Sequence, residues 1–346
     1  MKNASPDARM IEGLQLLRGI AATLVVGFHL LGAGLSRPGA ELGSFALFVN
    51  GEAGVDLFFV LSGFIIYVTA HRSPTLTPAR FLSARFWRIF PPYWAVLLAT
   101  MSVTLAATLA LGLTEPMPTP WQVFVSFFLL PLPDHVIIIA WTLGLELTFY
   151  LLFAATWRRG NRWLLGAIGL WALFAQLCHW DVIDLPQVWA VLTNSVVAEF
   201  LYGLIIAQVW ISGRSRWHRI ALVVGTLWMI AHVTGLLPHL PSVGREINAG
   251  LPAALIVYGL VGLPIRLPRW CLTWGEASYL LYLSHLLVFR VVGQIWMKIG
   301  PDPYSHWLSM AALGAIATAA AILGTVYLER PYQRFYRKRI LHRSPT

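Results

Sequence analysis

Apolar stretches of about 20 residues, each long enough to cross the hydrocarbon core of a bilayer, follow one another along almost the whole chain. Few folds remain open to such a sequence. In lipid every backbone N–H and C=O must be satisfied within its own segment or a closed barrel, and uninterrupted runs of this length satisfy it as α-helices. Ten spans are expected, near 14–34, 54–71, 91–113, 135–156, 163–180, 189–211, 217–237, 247–264, 276–298 and 306–328. They form a single all-α integral membrane domain over residues 1–346, with 329–346 as a basic tail. The run WQVFVSFFLLPL at 121–132 is too short to span and is read as interfacial or re-entrant. Charged residues make up only 12% of the chain, against about 25% in soluble domains. The first apolar run is long and lacks a small-residue cleavage signature, so it is expected to stay as a span.

Charge sets the expected orientation. The segments 1–13, 71–90, 157–162, 212–219, 265–275 and 329–346 hold 20 of the 25 Lys and Arg, whereas the intervening loops hold only Arg37, Arg245 and Lys298. The positive-inside rule then puts both termini in the cytoplasm and the protein in a bacterial cytoplasmic (inner) membrane as a multi-pass chain. This asymmetry accounts for the formal net charge of +10, and no nucleic-acid partner is expected. Cys178 and Cys271 fall on opposite sides of the membrane in this topology, too far apart for a disulfide.

Against apolar filler, the ionisable residues inside spans form a short set: Arg18, His29, Asp56, Glu146, Glu199, His285 and Arg290. Arg18 and His29 are eleven residues apart. On a helix that is about three turns, so both share one face, roughly 16 Å apart along the axis. Arg18 either snorkels to the headgroups or clamps phosphate groups. His29 is either a core histidine or a general base, since the imidazole pKa lies near neutrality. Glu146 must be protonated, paired or facing water; orienting a histidine and pairing with Arg88 are both open. Asp56 is either interfacial or a site residue at a depth similar to His29. Glu199 and Arg290 are read as structural, paired with each other or with other helices.

Two further clusters stand out. Arg85 and Arg88, three apart in ARFLSARFWRIFPPYW, share a helical face just before Pro91 and Pro92 stop or restart the helix. Two guanidiniums on one face make an anion site that lysines would not reproduce; ordinary positive-inside charge is the rival reading. In EASYLLYLSHLLVF, Ser278, Tyr282 and His285 line one face, with Tyr279 beside them. So polar a stripe should face a cavity or other helices. No nucleophile elbow, Gly-rich phosphate loop, zinc motif or dinucleotide fingerprint is present, so no metal and no bound cofactor are expected.

These stretches together resemble the acyltransferase 3 family of bacterial integral membrane acyltransferases, in the family's order and along the whole chain. Arg18 and His29 match its Arg-x10-His pair, GVDLFFVLSGFII its second-span signature and RFWRIFPPYW its Arg-x-x-Arg element. WTLGLELTFYLLF and SYLLYLSH match two further elements, and LERP resembles a closing Glu-x-Pro. Thr142 replaces the family's usual Ser, and Leu147 stands where many members carry a second acid. Lacking a fused hydrolase-like domain, the chain looks most like the short branch that O-acetylates exopolysaccharide or other glycan intermediates.

The resemblance implies acetyl-CoA or another acyl-CoA as co-substrate and a carbohydrate hydroxyl as acceptor. It implies the lipid bilayer as surroundings, with glycan-synthesis proteins as further candidate partners. On this reading His29 and Glu146 are the catalytic candidates. Arg18, Arg85, Arg88, Asp56, Tyr279, Tyr282 and His285 would bind substrate. A proton-coupled transporter or flippase is the rival class, because intramembrane His, Glu and Arg suit it equally.

Overall fold

The computed structural model describes residues 6–111, 117–214, 216–237 and 244–336. Thirteen α-helices account for most of them: α1 (Pro6–Leu35), α2 (Ala53–His71), α3 (Pro78–Leu111), α4 (Pro120–Phe128), α5 (Trp141–Thr156), α6 (Asn161–His179), α7 (Ala198–Ile211), α8 (His218–Val233), α9 (Leu251–Val261), α10 (Arg269–Glu276), α11 (Ser278–Ile299), α12 (Trp307–Gly324) and α13 (Arg330–Tyr336). A helix stands at each of the ten expected positions. Among the described residues six segments are long and apolar enough to cross a bilayer: Glu12–Leu35, Ala53–His71, Pro78–Leu109, Ile138–Arg159, Ser278–Ile299 and Trp307–Tyr336. The fold is thus an all-helical, polytopic membrane protein.

Several boundaries differ from expectation for local reasons. The sixth span is shorter than 189–211, because α7 starts only at Ala198 after turns at Gln187–Trp189 and Ser195–Val197. Asn194 caps the second of these turns by accepting from the Val196 N–H. The short run 121–132 yields α4, begun by a reciprocal Thr119–Gln122 capping box with Pro120 at its first position. Pro91 and Pro92 do not stop α3, which passes through both. A proline leaves the carbonyl four residues back without its helical donor, and the carbonyl orphaned by Pro91 is that of Trp87. Tyr332 Oη of α13 donates to it at 3.0 Å. Residues 337–346 of the expected basic tail lie outside the described residues.

Helix α2 runs through the middle of the molecule and packs on α1, α7 and α9. Its approach to α7 is backbone on backbone at a pair of glycines. A Cβ on Gly63 would sit 2.4 Å from Phe200 O, and one on Gly203 2.2 Å from Val60 O. Gly54 meets α1 in the same way, 2.1 Å from Ala21 O.

The Arg-rich segments gather at one end of the bundle, called here the basic end. There Arg158 Nη1 donates to Leu76 O (3.3 Å), Tyr67 Oη donates to Asn161 Oδ1 (2.8 Å), and Arg330 pairs with Glu276 (2.5 Å). At the opposite end the 36–43 and 300–307 segments clasp each other. The Glu41 N–H donates to Ser305 O (2.8 Å) and Arg37 pairs with Asp302 (2.6 Å). Slight desolvation raises the Asp302 carboxyl, but the Tyr304 N–H and the Arg37 guanidinium outweigh it and hold the group below its ordinary value. Cys178 and Cys271 are both free thiols.

Candidate active site

A cavity of about 520 Å³ opens at the basic end and runs inward between α1, α2, α3, α5 and α11. Six of the nine expected site residues line it: Arg18, Arg85, Arg88, Glu146, Tyr279 and Tyr282. The helical spacing explains the arginines. Arg85 and Arg88 fall on one face of α3, and Arg18 lies on the facing wall of α1. Arg72 at the mouth lines the same cavity, its guanidinium 5.1 Å from the Trp210 ring centre. Arg85 lies against the Phe81 and Tyr150 rings, 5.5 and 5.7 Å from their centres, and its buried Nε–H has no hydrogen-bond partner.

Glu146 faces this cationic wall without reaching a histidine. Its Oε1 accepts from Ser62 Oγ at 2.8 Å and from Tyr150 Oη, one helical turn on. Neither of the partners expected for Glu146, His29 or Arg88, is among these donors. Ser62 and Tyr150 were not among the expected site residues, although Tyr150 ends the same Glu-x-x-Phe-Tyr element. Glu329 is a further addition. It is buried, accepts from Thr325 (3.4 Å) and Gln333 (2.7 Å), and lies near enough to Arg18 and Arg88 to act as their counter-charge. Its signal in the sequence was the Glu-x-Pro element.

The tyrosine hydroxyls hold the walls in place. Tyr279 Oη donates to Ile89 O at 2.8 Å, joining α11 to α3. Thr142 Oγ1 and Tyr282 Oη lie 2.9 Å apart, and both reach Ile139 O, at 2.9 and 3.3 Å.

Past the cavity's closed end, next to Tyr282, two histidines meet. His285 Nε2 lies 3.2 Å from His29 Nδ1. His285 Nδ1 faces two carbonyl oxygens, Tyr282 O at 2.7 Å and Leu281 O at 3.1 Å. An imidazole nitrogen facing only acceptors carries the proton, so His285 Nε2 is the bare acceptor. His29 Nδ1 then carries its own proton, shared between His285 Nε2 and Val25 O at 2.9 Å. The remaining nitrogen, His29 Nε2, is left with its lone pair free. Four contacts thus hold the two rings of the pair in place.

Asp56 belongs to a different cluster. It is fully buried, does not line the cavity, and pairs through both carboxylate oxygens with Arg245 at 2.6–3.0 Å. Its counter-ion folds in from the segment before α9. Glu199 joins this cluster rather than pairing with Arg290. Arg290 instead donates to Thr104 Oγ1 on α3 at 2.9 Å. Spacing along a single helix does not reveal which neighbour a residue will face.

The family model described as "Acyltransferase domain" matches residues 11–341, nearly the whole chain and every element of the site. Among curated proteins the chain is 32% identical to the "Exopolysaccharide production protein ExoZ" of Rhizobium meliloti (strain 1021). That alignment covers 84% of this chain and 92% of the relative. It is 27% identical to "Nodulation protein 10" of Rhizobium leguminosarum bv. viciae, over 80% and 81% of the two chains. It is 26% identical to "Acyltransferase MdmB" of Streptomyces mycarofaciens, over 93% and 89%. No solved structure matches it. With a family match over 11–341 and an oriented histidine beside an arginine-lined cavity, the chain belongs to the acyltransferase 3 family and is a membrane acyltransferase.

Proposed function

We propose that the protein moves an acetyl group from cytoplasmic acetyl-CoA to a hydroxyl of an envelope or exported carbohydrate, such as an exopolysaccharide or a lipid-linked glycan. In this reading all ten helices at the expected positions cross a bacterial inner membrane, with the basic end in the cytoplasm. The observation that carries the proposal is the His29–His285 pair just beyond Tyr282, which lines a cavity whose mouth is lined with guanidiniums. A polyanionic thioester enters from the mouth, and Arg18, Arg85 and Arg88 hold its phosphates. The roughly 16 Å between Arg18 and His29 along α1 suits the reach of a pantetheine arm. The exopolysaccharide-production relative supports a glycan acceptor.

In the reaction, the acceptor O–H passes its proton to His29 Nε2 as its oxygen attacks the thioester carbonyl. The C–S bond then breaks, and the departing thiolate takes the proton from Nε2. His285 accepts from Nδ1 throughout and fixes the ring; it is a positioning residue. Glu146, through Tyr150, keeps Arg85 in place as part of the donor site.

The test is transfer of label from radiolabelled acetyl-CoA to a glycan-lipid extract by purified protein in lipid nanodiscs. His29→Ala is expected to lose transfer by about 10²–10⁴-fold while still binding donor. Arg85→Ala with Arg88→Ala is expected to lose donor binding. Full transfer by a folded His29→Ala protein would remove the histidine from the mechanism, and donor binding untouched by the double substitution would remove the arginines.

A further inference from the structure

The cavity does not run open to the histidine pair; two rings stand at its inner end. Phe58 of α2 and Tyr282 of α11 both line the cavity and meet edge to face, with ring centres 5.8 Å apart. On its far side the Tyr282 ring lies 6.3 Å from the His285 ring, which in turn holds His29. A group passing from the arginines toward His29 therefore meets these rings on the way. Tyr282 is buried and anchored through its hydroxyl to Thr142. Phe58 is half-buried, forms its edge contact through an untethered phenyl ring, and packs at the seam between the two apolar clusters of the bundle.

We infer that Phe58 sets the length of the acyl group by capping the space beside the thioester, so that acetyl fits and longer chains meet the ring. The inference rests on the acyl-CoA reading above. An apolar pocket discriminates by roughly 10–200-fold per methylene, which is the scale of effect one ring can impose. Trimming the ring leaves a cavity that surrounding side chains fill only in part, and extra methylenes can occupy the remainder.

The experiment is competition against radiolabelled acetyl-CoA in nanodiscs by unacylated CoA, acetyl-CoA, butyryl-CoA and hexanoyl-CoA. It compares wild type with Phe58→Ala and with the milder Phe58→Leu. For wild type, butyryl- and hexanoyl-CoA are expected to compete at least about tenfold more weakly than acetyl-CoA. Phe58→Ala should bring them level with acetyl-CoA or below it, and Phe58→Leu should give intermediate values. Unacylated CoA should compete equally in all three proteins. If neither CoA nor acetyl-CoA binds wild type, the donor reading fails and takes this inference with it. If CoA and acetyl-CoA bind but the length series is flat in wild type, or unchanged in both variants, the donor reading survives and Phe58 loses this role. Should Phe58→Ala fail to fold, Phe58→Leu alone decides through the same series.

Discussion

Two buried polar clusters in this molecule use their carboxyl and imidazole groups differently, and single substitutions separate the uses. In the histidine pair His285 acts only through the hydrogen bond that it accepts from His29 Nδ1. His285→Ala is expected to lower kcat by about a hundredfold with the donor KM unchanged. His285→Gln, whose amide oxygen can accept the same bond, should recover part of that loss. Steady-state kinetics on the three proteins decides it, and a matching rise in KM would point instead to a collapsed cavity. In the other cluster Asp56 neutralises Arg245, whereas Glu199 is a further buried carboxyl set against Asp56. Asp56→Asn strands a largely buried guanidinium and is expected to cost about 3–5 kcal/mol. Glu199→Gln keeps the shape and an amide N–H that can face Asp56, so its cost should stay within about 1 kcal/mol. Thermal unfolding in detergent ranks the pair; the reverse order would mean that Glu199, not Asp56, is the counter-ion.

Helix packing here depends on the absence of side chains at a few positions. Where α2 crosses α7 at Gly63 and Gly203, an added Cβ would land 2.2–2.4 Å from a backbone carbonyl, which cannot swing aside as a side chain would. Small residues let membrane helices approach this closely and gain dispersion contacts. Gly63→Ala is expected to cost about 1–3 kcal/mol by forcing the helices apart, read as a lower unfolding midpoint. The same substitution at Gly166 on α6, where a Cβ would meet nothing within 4 Å, should be silent. Helix α3 shows the complementary device, in which a donor from another element repairs an internal defect. The orphaned Trp87 carbonyl is satisfied by Tyr332, so α3 continues as one rod past Pro91 and Pro92. Arg85 and Arg88 thereby ride on the same rod as the buried part of the helix.

Across the whole molecule, the elements were far more legible in the sequence than their meetings. Runs of apolar residues fixed where helices lie, because a bilayer demands length and hydrophobicity from each segment independently. The polar stripe on α11 and the Arg18–His29 face on α1 were legible for the same reason. The contact between His29 and His285 was not, since it joins residues 256 apart in sequence, and periodicity within a helix carries no information about its neighbour. The partner of Asp56 was hidden for that reason too, lying 189 residues away. The Arg37–Asp302 clasp likewise spans 265 residues and gives a pH test of the closed arrangement. Because the folded state holds the Asp302 carboxyl below its ordinary value, its contribution is present at neutral pH. That contribution is lost as pH falls below about 3.9 and through the lower folded value. Asp302→Asn should therefore lower the unfolding midpoint slightly at pH 7, by the equivalent of about 0.2–1 kcal/mol for a partly exposed pair. The difference should shrink as pH falls through that lower value. The site itself joins the early α1, α2, α3 and α5 to the late α11, and Tyr332 of α13 reaches back 245 residues to Trp87. During biosynthesis, then, the early helices enter the bilayer with the arginine wall unfinished and the histidine unoriented. A nascent chain has no working site until its last helices have been made and docked, so competence for acyl transfer coincides with completed insertion.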